Sequence, residues 1–129
     1  MVTVTTWIQD YPALSQAADA ASRAAYTVTN QHLPGRASDA YTVVESLFAI
    51  GLERTAPGGK LNLITVANTG RVRFELHYPN DQTVAHGRNV HGMVSNMADA
   101  YGEKPTRGGR MIYAELWSGV PCESTARGG

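Results

Sequence analysis

The run of residues 71–78, RVRFELHY, places the strongest constraint on what this chain can fold into. Its apolar residues Val72, Phe74, Leu76 and Tyr78 alternate with polar ones, and a period of two is typical of a strand with one covered and one solvated face. Such a strand suits an antiparallel sheet whose helices lie on a single side, because parallel sheets are normally covered on both faces. The pattern therefore predicts two layers.

Two further segments supply strands for the same sheet. Residues 60–66 alternate roughly, and residues 67–70, ANTG, have the composition of a hairpin turn leading into residues 71–78. Residues 110–117, RMIYAELW, alternate again and predict the last strand. We expect a mixed, mostly antiparallel sheet.

Three amphipathic segments predict the helices. Residues 13–30 place alanines at helical spacing, and residues 38–52 carry apolar side chains on two sides, which indicates the most buried helix. A third helix is predicted over residues 90–101, with Gly102 as its C-cap and Pro105 as a stop. The order helix, helix, hairpin, helix, strand is that of an α+β fold, a two-layer α/β sandwich with the helices on one face.

Length and composition suit one domain with two short flanks. We assign residues 13–118 of the 129 to the domain, residues 1–12 to an N-terminal arm and residues 119–129 to a flexible tail. Residues 1–7 of the arm are suited to adding an edge strand or to swapping with a second copy. Eleven basic residues balance eleven acidic ones, so neither nucleic acid nor an anionic membrane is favoured as a partner. The single cysteine, Cys122, excludes an internal disulfide.

The start of the chain and its hydropathy indicate a cytoplasmic location. The N-terminus has no basic segment followed by an apolar one, as a secretory signal requires, and no apolar run has the length of a membrane span. His77, His86 and His91 lack the spacing of a shared helical face, and one cysteine cannot build a thiol-rich site. We therefore predict no metal and no other cofactor.

The order and spacing of three short motifs carry a family resemblance. They are VVESLFAI at residues 43–50, MADAYG at residues 97–102 and PTRGG at residues 105–109. Together they resemble the ATP-binding domain shared by histidine kinases, gyrases and anti-sigma-factor kinases, the GHKL or Bergerat-like fold, and its small actinobacterial members in particular. The resemblance covers roughly residues 14–117 and implies the same two-layer fold.

Departures from the family pattern imply that magnesium-ATP binding is lost. The resemblance assigns a magnesium-binding asparagine to the second helix, where this chain has Ile50 or Ala49, and an alkyl group offers no oxygen ligand. After the strand that ends at Tyr78 come no glycines to admit adenine, although Asn80 and Asp81 have acceptor oxygens. The phosphate-binding turn is reduced to Gly-Arg-Asn. Family-type kinase or ATPase activity is not expected.

Chemically capable side chains surround the vacated pocket implied by this alignment. Glu45 is interpreted either as a semi-buried carboxylate or as a solvated residue at the helix edge. A histidine acting as a general base needs a carboxylate partner, and Arg88, beside a helix N-terminus, suits an anion. The candidate pocket residues are Glu45, Tyr78, Asn80, Asp81, His86, Arg88 and His91.

Two classes of function follow. The first is a non-catalytic regulatory or scaffold protein that contacts a protein partner, such as a sigma factor, an anti-anti-sigma protein or a second copy of itself. The second is a small-molecule binder, or a lyase- or cyclase-type enzyme of a specialised biosynthetic pathway, that reuses the pocket. We expect the first. A cleft filled by side chains favours contacts with proteins, whereas an open cavity with converging polar groups favours a ligand.

Overall fold

The computed structural model describes residues 4–79 and 89–118 and contains a five-stranded sheet beneath two long helices. The strand order is β1-β2-β3-β5-β4, and each neighbouring pair is antiparallel. This confirms the α+β class and the mostly antiparallel sheet. The elements are β1 (Thr5–Pro12), α1 (Ser15–His32), a 3-10 turn (Pro34–Arg36), α2 (Ala37–Glu53), β2 (Lys60–Asn68), β3 (Arg71–Pro79), α3 (Val90–Val94), β4 (Ala100–Thr106) and β5 (Gly109–Trp117).

The core lies between α2 and the central strands. Alternate residues of β2 and β3 are buried along their whole length, as the period of two predicts. Leu47 and Phe48 of α2 meet Phe74 and Leu76 of β3 in this core, all fully buried. Each such side chain contributes about 1.5–3 kcal/mol relative to an exposed one. The prediction that the second helix is the most buried is confirmed.

Small residues let the helices approach each other and the sheet closely. Ala21 and Ala25 of α1 are buried in the core, where short side chains permit close helix packing. In the last turns of α2, a Cβ atom added to Gly51 would lie 2.7 Å from the Leu76 side chain. The helix layer is therefore held tightly against β3.

Residues 5–12, assigned from the sequence to an arm, form the edge strand β1. It pairs with β2 along its full length, from Thr5↔Ala67 to Pro12↔Lys60. Trp7 and Tyr11 pack against the core from the helix side of the sheet. The predicted tail, residues 119–129, lies outside the described residues.

The predicted third helix is wrong beyond its first turns. α3 ends at Val94, and residues Ala100–Thr106 form β4, which pairs with β5 through the turn after Thr106. Gly102 is therefore a strand residue rather than a C-cap, and Pro105 lies in an edge strand, where proline is tolerated. The helical spacing of Met93, Met97 and Tyr101 was misleading, because from Ala100 onward the backbone pairs with β5 instead of continuing a helix.

The sheet face away from the helices is here called the open face. No described helix covers it; α3 contacts α2, β4 and β5. In the described part of the chain, no helix combines the length and apolarity needed to cross a membrane. The open-face side chains include Ile8, Asn62, Ile64, Val66, Arg71, Arg73, Glu75, His77, Met111, Tyr113, Glu115 and Trp117, as the strand pairing places them.

Candidate functional site

The structure locates three of the seven candidate pocket residues and does not bring them together. Glu45 is exposed on α2, Tyr78 is buried near the end of β3, and His91 is exposed on α3. The other four, Asn80, Asp81, His86 and Arg88, lie outside the described residues.

The semi-burial considered for Glu45 is wrong. The residue lies on the outer side of α2 because Val44, Leu47 and Phe48 of the same helix take the buried side. The alternative interpretation, a solvated carboxylate at the helix edge, agrees with this placement. Glu45 forms no hydrogen bond or ion pair with Tyr78 or His91.

Of the three histidines that the sequence analysis considered as metal ligands, the structure describes His77 and His91, and these lie on opposite sides of the sheet. His77 is on the open face, where its Nε2 is 3.1 Å from Oε1 of Glu75. His91 is on the helix side, and its Nδ1 is 2.7 Å from the Tyr101 hydroxyl. Among residues 4–79 and 89–118, no three His, Cys, Asp or Glu side chains converge in a way that suits a metal ion.

Tyr78 belongs to a compact ionic group that we call the Arg54 cluster, consisting of Arg54, Tyr78, Glu103 and Arg110. Arg54 follows α2, and its Nη1 donates to the Tyr78 hydroxyl at 2.7 Å and to Oε1 of Glu103 at 2.9 Å. Nη2 of Arg110, on β5, is 3.6 Å from the same carboxylate. The cluster therefore joins the end of α2 to three strands.

The charges of the Arg54 cluster are matched internally. Burial alone would raise the pKa of Glu103, but the hydrogen bond and charge of Arg54, with the charge of Arg110, outweigh burial and lower the pKa. Burial would lower the pKa of Arg54, but its bonds to Glu103 and Tyr78 raise it. A carboxylate held ionised in this way is a weak general base. The cluster is suited to holding elements together rather than to proton transfer.

The two positions at which the resemblance would place a metal-binding asparagine, Ala49 and Ile50, both have alkyl side chains. Ile50 is fully buried in the core, and Ala49 is half-buried on the same helix. Neither supplies a hard oxygen ligand for magnesium.

Two shallow cavities lie near these elements. One, of about 250 Å³, is at the end of the sheet and is lined by Lys60, His77, Tyr78 and the β4–β5 turn. The other, of about 280 Å³, is a groove between α1 and β1, lined by Trp7, Gln9 and small residues of α1. Both are below the usual 300–1,000 Å³ of small-molecule sites.

A second ionic group, around Arg36, was not predicted from the sequence. Arg36 donates to Asp39 at 2.9 Å and to Asp99 at 3.0 Å, and also to the backbone carbonyl oxygens of Met97 at 2.7 Å and Trp117 at 3.0 Å. It thereby ties the junction of α1 and α2 to the segment before β4 and to the end of β5. Asp99 is 63 positions away, so no local pattern could reveal the pair.

The open face carries a third network, built on β3 and β5. Arg73 donates to Glu75 at 2.7 Å and to Glu115 at 2.8 Å, and its guanidinium lies 4.0 Å from the Tyr113 ring centroid. Glu115 also accepts a hydrogen bond from the indole N–H of Trp117 at 2.9 Å. The result is an ordered surface of paired charges and aromatic rings.

No protein-family model matches this chain, and no curated protein is similar to it at a significant level.

Proposed function

We propose that this chain is a non-catalytic regulatory or scaffold protein with a GHKL-type fold that has lost magnesium-ATP binding and acts through protein–protein contacts. The observation that carries the proposal is the Arg54 cluster. The resemblance sets the nucleotide between the second helix and the end of the strand at Tyr78. In this chain the side chain of Arg54 bridges from the end of α2 to Tyr78.

Opening that space for a nucleotide has a clear energetic cost. Arg54 would have to leave Glu103, and both side chains are more than three-quarters buried. Separating this pair leaves Glu103 with Arg110, 3.6 Å away, and loses a coupling energy of about 1–2 kcal/mol. Magnesium would not repay this cost, because Ile50 and Ala49 provide no ligand.

The open face supports the protein-contact part of the proposal. Tyr113 and Trp117 lie on it beside arginines, and these residue types are enriched where proteins bind each other. Trp117 is 42% exposed, so its ring is available for contact. We propose a protein partner of the sigma-regulator type or a second copy of the chain, in the cytoplasm.

The test is binding of adenine nucleotides measured by thermal shift and calorimetry. A ligand that binds the folded state raises the melting temperature. Because we propose that the chain does not bind nucleotides, we expect no magnesium-dependent stabilisation by ATP or ADP. The matched variant Ala49→Asn introduces a candidate oxygen ligand, and we expect it to gain no ATP binding while Arg54 stays bonded to Tyr78 and Glu103. A magnesium-dependent shift of several degrees in the wild-type protein would contradict the proposal.

The second candidate is the small-molecule binder or lyase- or cyclase-type enzyme. The cavity at the end of the sheet favours it, since Lys60, His77 and Tyr78 all line that cavity. A metabolite panel screened by thermal shift tests this function. A compound whose stabilising effect is lost in Tyr78→Phe and kept in the remote exposed variant Tyr26→Phe would establish a ligand site there.

A further inference from the structure

We infer that β1 is a self-association edge, through which two copies pair antiparallel about Ile8 and join two five-stranded sheets into one of ten strands. The inference rests on the proposed function in taking a second copy as a protein partner. The experiment below measures association between copies, whereas the proposed function is tested by nucleotide binding. Either proposal can therefore fail while the other stands.

The backbone of β1 offers hydrogen-bonding groups on its outer side. The Ala13 N–H donates to the Gly59 carbonyl at 3.0 Å, one position beyond the Pro12↔Lys60 pair. In an antiparallel ladder, hydrogen-bonded pairs alternate with non-bonded ones. Odd-numbered residues of β1 therefore turn their backbone groups toward β2, and the even-numbered ones turn theirs outward. Pro12, which has no N–H, falls at an outward position, where an edge strand tolerates proline.

The side chains beside this edge leave room for a second strand. Ile8 is 66% exposed and points to the open face. On the helix side, the groove between α1 and β1 is lined by Trp7 and Gln9 and by the small residues Ala24 and Thr27. When the strands pair about Ile8, Trp7 of each copy lies opposite Gln9 of the other, at the mouth of this groove.

The strand is complementary to itself. Asp10 is the one charged residue of β1, and pairing about Ile8 sets its carboxylate opposite the Thr6 hydroxyl of the other copy rather than opposite another carboxylate. Ile8 meets Ile8 at the twofold axis, which suits an isologous contact. The chain has zero net charge, so long-range repulsion between copies is absent. These features together select a second copy as the occupant of the edge.

Protections found on other edge strands are absent from the middle of β1. Lysine, inward-pointing charge, bulges and central prolines normally prevent edge pairing. β1 pairs with β2 without a break in register, and its proline is its last residue.

Analytical ultracentrifugation of the full chain across the micromolar range tests the edge directly. We expect a wild-type dimer whose dissociation constant rises at least about tenfold, or 1.4 kcal/mol, in Thr6→Pro. This change removes an outward N–H and leaves the β2 ladder intact. The matched control Thr6→Ala should stay dimeric. Circular dichroism and the melting temperature confirm that each variant is folded.

Two charge variants separate the edge from the open face. Ile8→Lys places like charges opposite each other across the twofold axis and should give monomers. Ile64→Lys lies beside Ile8 on the inner strand β2 and should leave the dimer intact. Dissociation by Ile64→Lys but not by Thr6→Pro would overturn the edge proposal in favour of face-to-face contact.

Cysteine cross-linking tests the register. In a Cys122→Ser background, Ile8→Cys should form an interchain disulfide under mild oxidation, because hydrogen-bonded antiparallel pairs have Cα atoms about 5.5 Å apart. Val4→Cys, also exposed, lies opposite Pro12 in this register and should cross-link at least about tenfold more slowly at equal concentration. A wild-type protein that stays monomeric throughout, or equal cross-linking of both variants, would overturn the proposal.

Discussion

The two edges of the sheet, β1 and β4, are protected in very different ways. β4 carries Glu103, Lys104 and Pro105 in succession, and charge and proline both resist the addition of another strand. β1 carries one charged residue, Asp10, and exposes Ile8. The comparison indicates that strand addition is blocked at one edge and left open at the other.

The same two strands are also held to the helices by different forces. Arg54 binds Glu103 of β4, and Arg36 binds the segment that leads into β4. β1 instead depends on its ladder with β2 and on ring contacts, such as Tyr11 with Phe48 at 5.5 Å between centroids. The β4 side of the molecule should therefore respond strongly to the loss of charged groups, and the β1 side should not.

The largest effect is expected from Arg36→Ala. Removal of the guanidinium takes the arginine donor from Asp99, which keeps the Trp117 N–H, and from the carbonyl oxygens of Met97 and Trp117. This should lower the free energy of unfolding by about 2–3 kcal/mol. Urea denaturation measures this loss. The control is Arg23→Ala, whose exposed pair with Asp19 should contribute less than about 0.5 kcal/mol. Equal effects of the two changes would remove the distinction between anchored and solvated charges.

A double-mutant cycle on the β4 anchor should show a smaller but specific effect. Arg54→Met and Glu103→Gln should each destabilise the fold, and the double variant should lose less than the sum of both. We expect a coupling energy of about 1–2 kcal/mol, as for residues in one ion-pair network. Strict additivity in urea denaturation would mean that the pair does not hold β4.

The smallest expected effect is on how the stability of the fold depends on pH. The pKa of Glu103 is below its ordinary value of 4.5 in the folded protein, so the folded state favours the ionised carboxylate. Its contribution is complete above that ordinary value and is lost as the pH falls through the folded pKa. Glu75 and Glu115 have lowered pKa values and act in the same direction.

Glu103→Gln should therefore flatten the fall in stability below about pH 5, by less than about 1 kcal/mol. The melting temperature measured at a series of pH values checks this. A variant whose melting temperature falls with acid as steeply as the wild type's would show that Glu103 does not contribute.

Most of the fold followed from local patterns. The strand predicted over residues 110–117 is observed as Gly109–Trp117, and the helix predicted over residues 38–52 is observed as Ala37–Glu53. The segment after Val94 was mispredicted, because Met97 and Tyr101 keep a helical spacing although the backbone from Ala100 onward pairs with β5. The spacing of residues within one segment does not show that a strand later in the chain will pair with that segment.

The candidate site was much less predictable. Tyr78 was selected, but its partners were not, since Arg54 is 24 positions from Tyr78 and 49 from Glu103. Glu45 was considered as a pocket residue, and only the packing of α2 shows that it faces solvent.

The order of hydrophobic and polar residues by itself determined strands β2, β3 and β5, the covered face of the sheet and the two long helices above it, because burial repeats with the period of each element. The tertiary structure decided which ions meet and which edge strand is exposed among the described residues. Those outcomes depend on folding, which brings distant segments such as Arg36 and Asp99 together. Two opposite charges become a specific pair only when the fold places them next to each other and removes water from around them.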